Sequence, residues 1–367
     1  MKKGHDIQSV AARFQISGDF LEAAPYGSGH INDTYAVRFD QGGTLVRYII
    51  QRINHHVFKD IPSLMENIQR VTRHLQGKLA ARGAKEISRR AMTLILTRDG
   101  KSFYKDGQGN FWRTYIFIEK ALTHDILTSE DQAFQAARAF GTFQKMLVDL
   151  PDPPLHETIP DFHNGIKRYE AFQDALQEDA LNRAAGAKGE IAFLKDHARI
   201  FDRLPGLVEK GEIPWRSTHN DCKINNVMID DETGEGVCVI DLDTLMPGLA
   251  LYDFGDMVRT STCSAAEDAP NLDQVRMEMP RFEKLVRGYL STAGEFLNRA
   301  ERDHLAFAGK MITLIIGTRF LTDHLAGDVY FKIHREGHNL DRCRAQFRLV
   351  ESIADQEEEM QALVQRI

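Results

Sequence analysis

Cysteine is scarce in this chain of 367 residues. The four present, Cys222, Cys238, Cys263 and Cys343, are scattered, with no CxxC pair and no zinc-like spacing. Neither a disulfide framework nor a structural zinc site is expected, and a reduced, cytoplasmic compartment is the plain reading. Basic charge is also short. With 46 Lys and Arg against 53 Asp and Glu, the net charge is −7. That balance excludes the broad basic face a nucleic-acid binder needs, although a local patch for one nucleotide stays open. Long apolar runs are missing too: the longest cluster, 311–317, falls well short of the roughly 20 residues that span a bilayer. Residues 1–10 are polar and lack a signal core. No nucleic-acid and no membrane partner is therefore expected. No internal repeat and no low-complexity tract is visible.

What is present reads as two lobes of an α+β protein. A short amphipathic helix is expected at 7–14. After the turn-rich stretch Pro25-Tyr-Gly-Ser-Gly-His-Ile-Asn-Asp-Thr-Tyr-Ala-Val-Arg-Phe39, the β-branched run 45–53 makes a strand, and Gly42-Gly43 joins the two as an antiparallel hairpin. Leu64, Ile68, Val71 and Leu75 share one face of a helix over 62–79. Strand-like runs follow at 93–97 and 111–118. Beyond Glu119 the pattern turns helical, beginning with Ser129 and the acidic pair Glu130 and Asp131, which suit a helix start. One compact block of strands and loops, 217–256, interrupts the helices. The boundary is drawn at 120: residues 1–120 form an N-terminal nucleotide-binding lobe and 121–367 a C-terminal catalytic and acceptor-binding lobe. A cleft between lobes is where ligands tend to bind.

The block opens Ser217-Thr-His-Asn-Asp-Cys-Lys-Ile-Asn-Asn-Val-Met-Ile-Asp230. His219, Asp221, Lys223 and Asn226 keep the spacing H-x-D-x-K-x-x-N of a kinase catalytic loop. Phosphoryl transfer asks the protein for positioning and charge stabilisation. Asp221 suits the base that orients a hydroxyl and takes its proton. Lys223 suits the γ-phosphate, and Asn226 offers a neutral oxygen to a hard cation. His219 is read as structural. The apolar strand Val237-Cys-Val-Ile ends in Asp241, a second magnesium ligand, with a hairpin between 226 and 241 carrying both ligands to one end of the cleft. Asp243, Asp253 and Asp256 are expected to support by hydrogen bonding, and Cys222 to pack. A lone HxD carries almost no information; the ordered set carries the argument.

The pattern H-N-D-x-x-x-N-N, I-D-x-D and P-G-x-x-x-Y-D-F-G-D resembles the aminoglycoside phosphotransferase and choline kinase superfamily. That resemblance implies a two-lobed protein-kinase-like fold, with a small antiparallel-sheet N-lobe carrying one main helix and a larger, mainly helical C-lobe. ATP and Mg2+ would be the cofactors. Gly27, Ser28 and Gly29 are candidates for the loop over the phosphates, without a full G-x-G-x-x-G. Arg52, ion-paired to Glu66, would hold the phosphates, with Lys59 a competing choice. Glu119, where the lobes meet, joins the nucleotide-binding set.

Longer segments, including 27–35, Gln51-Arg-Ile-Asn-His55, Leu64-Met-Glu-Asn-Ile68 and Arg319-Phe-Leu-Thr-Asp-His-Leu-Ala-Gly-Asp328, resemble bacterial N-acetylhexosamine 1-kinases from Tyr26 to Ile333. The likeness implies phosphorylation of the anomeric hydroxyl of GlcNAc or GalNAc, with Asp221, Arg319 and Tyr330 touching the sugar. An arginine suits sugar hydroxyls or an acetamido carbonyl better than a quaternary amine. The competing reading makes Arg319 an internal ion pair with Asp323, four residues on. A kinase of another small alcohol (homoserine, choline or a simple hexose) and a nucleotide-binding pseudokinase stay open. A protein kinase does not fit, because no A-P-E segment follows Asp243. His55-His56 and Glu357-Glu358-Glu359 read as solvated surface.

Overall fold

The computed structural model describes residues 5–27, 31–124, 127 and 129–367. In chain order its elements are α1 (Ile7–Ala11), β1 (Asp19–Pro25), β2 (Asp33–Asp40), β3 (Leu45–Ile53), α2 (Ile61–Ala81), α3 (Ile87–Arg90), β4 (Leu94–Ile95), β5 (Tyr104–Lys105), β6 (Phe111–Ile116) and β7 (Ala121–Leu122). Then come α4 (Glu130–Leu147), α5 (Gly165–Glu178), α6 (Lys188–His197), α7 (Arg203–Glu209), β8 (Arg216–Thr218), β9 (Val227–Asp230), β10 (Gly236–Val239) and β11 (Met246–Gly248). Five helices close the chain: α8 (Ala250–Ser261), α9 (Met279–Ala293), α10 (Arg299–Asp303), α11 (Leu305–Ala326) and α12 (His338–Arg366).

The fold is α+β, an antiparallel sheet at the N-terminal end and a mainly helical remainder. Strands run in the order β1-β2-β3-β6-β4, with β5 also on β6. β1 was not foreseen, because its sequence DFLEAAP lacks alternation and most of it is exposed. The expected hairpin is there, β2 pairing β3 from Asp33–Arg52 to Asp40–Leu45. The side-chain period of two divides this sheet into two faces. Tyr48, Ile50 and Trp112 face outward into a cluster with Ile7, Val10 and Phe14 of the N-terminal segment. Ile53 and Tyr115 point the other way, into the main core with α2. Asp60 caps α2 by accepting from the Ser63 N–H, and Pro62 sits in its first turn.

From Ala121 the chain changes partner: β7 pairs β9, and β9 pairs β10. A further two-stranded ladder joins β8 to β11. Around it α4 packs along α9, and α11 packs against α5, α8 and α12. Gly255 is needed for that closeness, since a Cβ there would lie 2.5 Å from the Ala308 carbonyl oxygen. α11 is long and apolar enough to cross a membrane by length and composition, yet most of it is buried inside the protein. It is a core helix, which is why it is apolar all round.

Candidate functional site

The β8–β11 ladder and the β9–β10 hairpin frame the catalytic-loop block from two sides. Asn220 and Asp241 both adopt left-handed backbone, φ 65° and 59°, a conformation that Asn and Asp tolerate better than other side chains. Asp253, at the start of α8, holds the loop from below. One carboxylate oxygen accepts from the His219 N–H (3.0 Å) and from Gln144 Nε2 (2.7 Å), the other from the Asn220 N–H (2.7 Å). His219 Nε2 donates to the Ile240 carbonyl at 2.9 Å, which leaves Nδ1 to accept from the Asp221 N–H at 3.3 Å. The imidazole thereby braces the loop against the hairpin. Its ring also meets Phe140 and Phe143 of α4 edge-on. Gly248 lets β11 pass close, since a Cβ there would lie 2.2 Å from Thr218 Oγ1.

Asp221 is brought together with Lys223, whose Nζ lies 3.0 Å from Oδ2. Asn226 Nδ2 donates to the Asp221 carbonyl (2.8 Å) and to Oδ2 (3.1 Å), so its amide oxygen points the other way. Burial is the largest influence on Asp221 and opposes its charged form, but Lys223 and the other neighbouring groups together hold the carboxyl below its ordinary range. The same contact raises the Lys223 ammonium. Burial, then Asp243 and Asp221, push the Asp241 carboxyl up to about 6. A crowded carboxylate of this kind suits a divalent cation, whose charge would relieve the repulsion. Among the described residues no three His, Cys, Asp or Glu side chains form a metal cage. A magnesium ion at Asn226 and Asp241 would therefore take its other ligands from phosphate oxygens and water. Cys222 is buried and its thiol is pushed well up, first by burial and then by Asp253 and Asp256. It is a packing residue.

On the N-terminal side the structure corrects the phosphate-binding pair. Arg52 pairs with Asp33, not Glu66. Register places Arg52 opposite Trp112, on the outward face beside His5, while Gln51 opposite Arg113 faces inward. The one-residue offset flips the side chain to the far side of the sheet. Glu66 falls between the buried positions of α2 and instead meets His156 at 3.1 Å, half exposed. Lys59 is exposed. The buried cation facing the site is Arg113, which pairs with Asp243 and donates to Gln51 Oε1 (3.0 Å). Asn32 Nδ2 also donates to Asp243, at 2.7 Å, tying the start of β2 to the residues after Asp241. Glu119 uses its carboxylate on Arg47, whose guanidinium stacks 3.7 Å from the Phe117 ring. Gly27 is exposed, with φ 79°; Ser28 and Gly29 lie outside the described residues.

On the opposite side, α11 presents Arg319. Asp323 is not its partner: that carboxylate accepts from the Val329, Tyr330 and Phe331 amides and from Asn339. Arg319 instead donates to the Tyr330 hydroxyl at 3.3 Å and lies against the rings of Phe162, Tyr330 and Phe331. It is within electrostatic reach of Asp221. Nearby, His163 Nε2 donates to the Asn220 carbonyl at 2.9 Å, and burial pushes its pKa down to about 4. Arg113, His163 and Arg168 were not singled out from sequence. For Arg113 a signal existed, a charged side chain at an inward position of an apolar strand. His163 and Arg168 stand in no motif.

Residues 22–285 match the model of the phosphotransferase enzyme family, APH. Among solved structures, a microcompartment-associated aminopropanol kinase superposes with a TM-score of 0.63 at 19% identity, over 96% of this chain and 97% of its own. An aminoglycoside phosphotransferase from Alicyclobacillus acidocaldarius gives 0.63 at 11%, over 100% and 98%. A spectinomycin phosphotransferase, solved with ADP and spectinomycin, gives 0.54 at 14%, over 93% and 94%. At such identities the likeness is one of fold. The family match, running from β1 into α9, takes in more than half of the chain: this protein belongs to the phosphotransferase enzyme family.

Proposed function

We propose that the protein is an ATP-dependent kinase that phosphorylates the anomeric hydroxyl of an N-acetylhexosamine, GlcNAc or GalNAc. The observation that carries the acceptor class is Arg319. Within reach of Asp221 it is held by three rings, one of them the Tyr330 phenol, and among the described residues no carboxylate lies within ion-pair distance of it. A guanidinium left with unused donors beside the base suits hydroxyl and acyl oxygens and disfavours an ammonium. The segment likeness to N-acetylhexosamine 1-kinases supports the same reading, as does the ADP bound to the spectinomycin phosphotransferase for the nucleotide.

In this reading residues 1–120 hold the nucleotide, with Gly27, Ser28 and Gly29 over its phosphates and Glu119 at the lobe junction. Asn226 and Asp241 would hold magnesium, which supplies charge to the phosphates. The acceptor hydroxyl meets Asp221, whose carboxylate takes the proton as the oxygen–phosphorus bond forms and ADP leaves. Lys223 keeps Asp221 ionised and faces the transferring phosphoryl group. Arg319 and Tyr330 orient the sugar. Four free cysteines suit a reducing, cytoplasmic setting. The test is an ATP-consumption screen across N-acetylhexosamines, simple hexoses, choline and amino alcohols, with phosphorus NMR of the product. A sugar 1-phosphate is expected. Phosphate on another oxygen, or preferred turnover of choline, would overturn the sugar assignment while leaving a kinase.

A further inference from the structure

A second guanidinium lies beside Arg319. Arg168, on α5, donates through Nε and Nη2 to the Phe162 carbonyl at 3.3 and 3.2 Å, while the ring of the same Phe162 lies 4.9 Å from the Arg319 guanidinium carbon. α5 packs against α11, so the two side chains approach from facing helices. Among the described residues neither arginine has a carboxylate within ion-pair distance. Arg259, the third cation nearby, is unlike them: Asp256 and Glu267 both pair with it. Burial first, and then Arg319, press the Arg168 guanidinium down to about 10. Two half-buried guanidiniums thus sit side by side around Phe162 and Tyr330, and Arg319 is within electrostatic reach of Asp221. Like charges are costly to hold together in a partly desolvated site, and the catalytic chemistry at Asp221 does not account for the second.

We infer that Arg168 is a specificity residue of the acceptor site: with Arg319 it donates to an oxygen of a neutral acceptor and turns away acceptors that carry an ammonium group. The inference rests on the proposed kinase activity and deepens it. Removing the Arg168 guanidinium takes one positive charge away from the side of the acceptor site that Arg319 lines. At about 6 Å and an effective dielectric of about 20, a guanidinium repels an ammonium by enough to lower binding roughly 100-fold. A neutral acetamide meets no such penalty and gains a hydrogen bond.

The full-length protein is assayed with matched acceptors at pH 7: N-acetylglucosamine against glucosamine, which differ in acetamide against ammonium, and N-acetylgalactosamine against galactosamine. Wild type is expected to favour the acetamido sugar by about 100-fold in kcat/KM. Arg168→Gln, which can still donate to the Phe162 carbonyl, should raise KM for the acetamido sugar about 10- to 100-fold and narrow that ratio at least tenfold. KM for ATP and Tm should stay near wild type. Arg168→Lys keeps the charge and loses the fork, so the ratio should persist while KM rises. Unchanged sugar kinetics in Arg168→Gln would overturn the assignment. So would equal losses on both acceptors accompanied by a falling Tm, which mark a structural role. Wild-type preference for the ammonium sugars overturns the charge selection itself. No turnover of any acceptor, with ATP still bound, sinks the kinase reading, and this inference with it.

Discussion

Asp253 offers the sharpest test of how the loop is held. Its carboxylate is fully buried and accepts from the backbone amides of His219 and Asn220, the residues just before Asp221, and from the Gln144 side chain. The third donor, Gln144, is itself fixed by the Tyr289 hydroxyl at 2.5 Å. Asp253→Ala strands all three donors. Each stranded buried donor costs about 1–3 kcal/mol, so the loss is about 3–9 kcal/mol before relaxation. Water entering the vacated space re-pairs part of it, which puts the expected loss near the lower end, about 3 kcal/mol. Asp253→Asn keeps an oxygen for two of the donors and turns an NH2 toward the remaining amide, so it should cost about 1–3 kcal/mol. Urea unfolding followed by circular dichroism measures both. Because Asp221 follows the freed amides, kcat should fall about 100-fold in Asp253→Ala, as expected for a shift of about 1 Å at the reacting group. An alanine variant within about 0.5 kcal/mol of wild type, or one less damaged than the asparagine variant, would refute the reasoning.

Asp221→Asn should lower kcat by about 100- to 10,000-fold and leave KM for ATP nearly unchanged; steady-state kinetics with the best acceptor decide it, and near-wild-type turnover would remove the base. Arg113→Met should destabilise by about 3–5 kcal/mol, because it leaves Asp243 buried and uncompensated. Arg52→Met, on the outward face with partly exposed Asp33, should cost only about 0–1 kcal/mol; the reverse order in urea would mean that the register of β3 is misassigned. His163 stays neutral in the fold, while the unfolded imidazole takes up a proton below about 6.5. Stability should therefore be unaffected above that pH and fall as pH drops from about 6.5 through about 4, by up to roughly 3 kcal/mol. His163→Gln, which can donate to the Asn220 carbonyl without titrating, should flatten that limb in unfolding measured at stepped pH; an unchanged limb would show that other groups set it.

The local elements were legible because their signals are local. Spacing marked out His219, Asp221, Lys223 and Asn226, the end of an apolar strand marked out Asp241, and a hairpin between Asn226 and Asp241 is what β9 and β10 form. The start of α4 at Ser129 and the inward face of α2 followed from capping chemistry and the 3.6-residue period. Arg52 shows where such reading stops. Its strand could be recognised from composition, but which alternate side chains face the cleft depends on the cores stacked against each face, and nothing within 45–53 carries that information.

The amino-acid order by itself determined the chemistry available along one loop and one hairpin, since phosphoryl transfer needs those residue types at spacings a short chain segment can set. Tertiary structure alone decided which distant charges meet them. Arg113 reaches Asp243 across 130 residues, and Asp253 reaches back to the amides before Asp221. Arg168 comes to Arg319 because α5 packs on α11. A side chain's electrostatic partners are set by where helices and strands pack, and packing is settled by burial of apolar faces that the charged residues do not themselves encode.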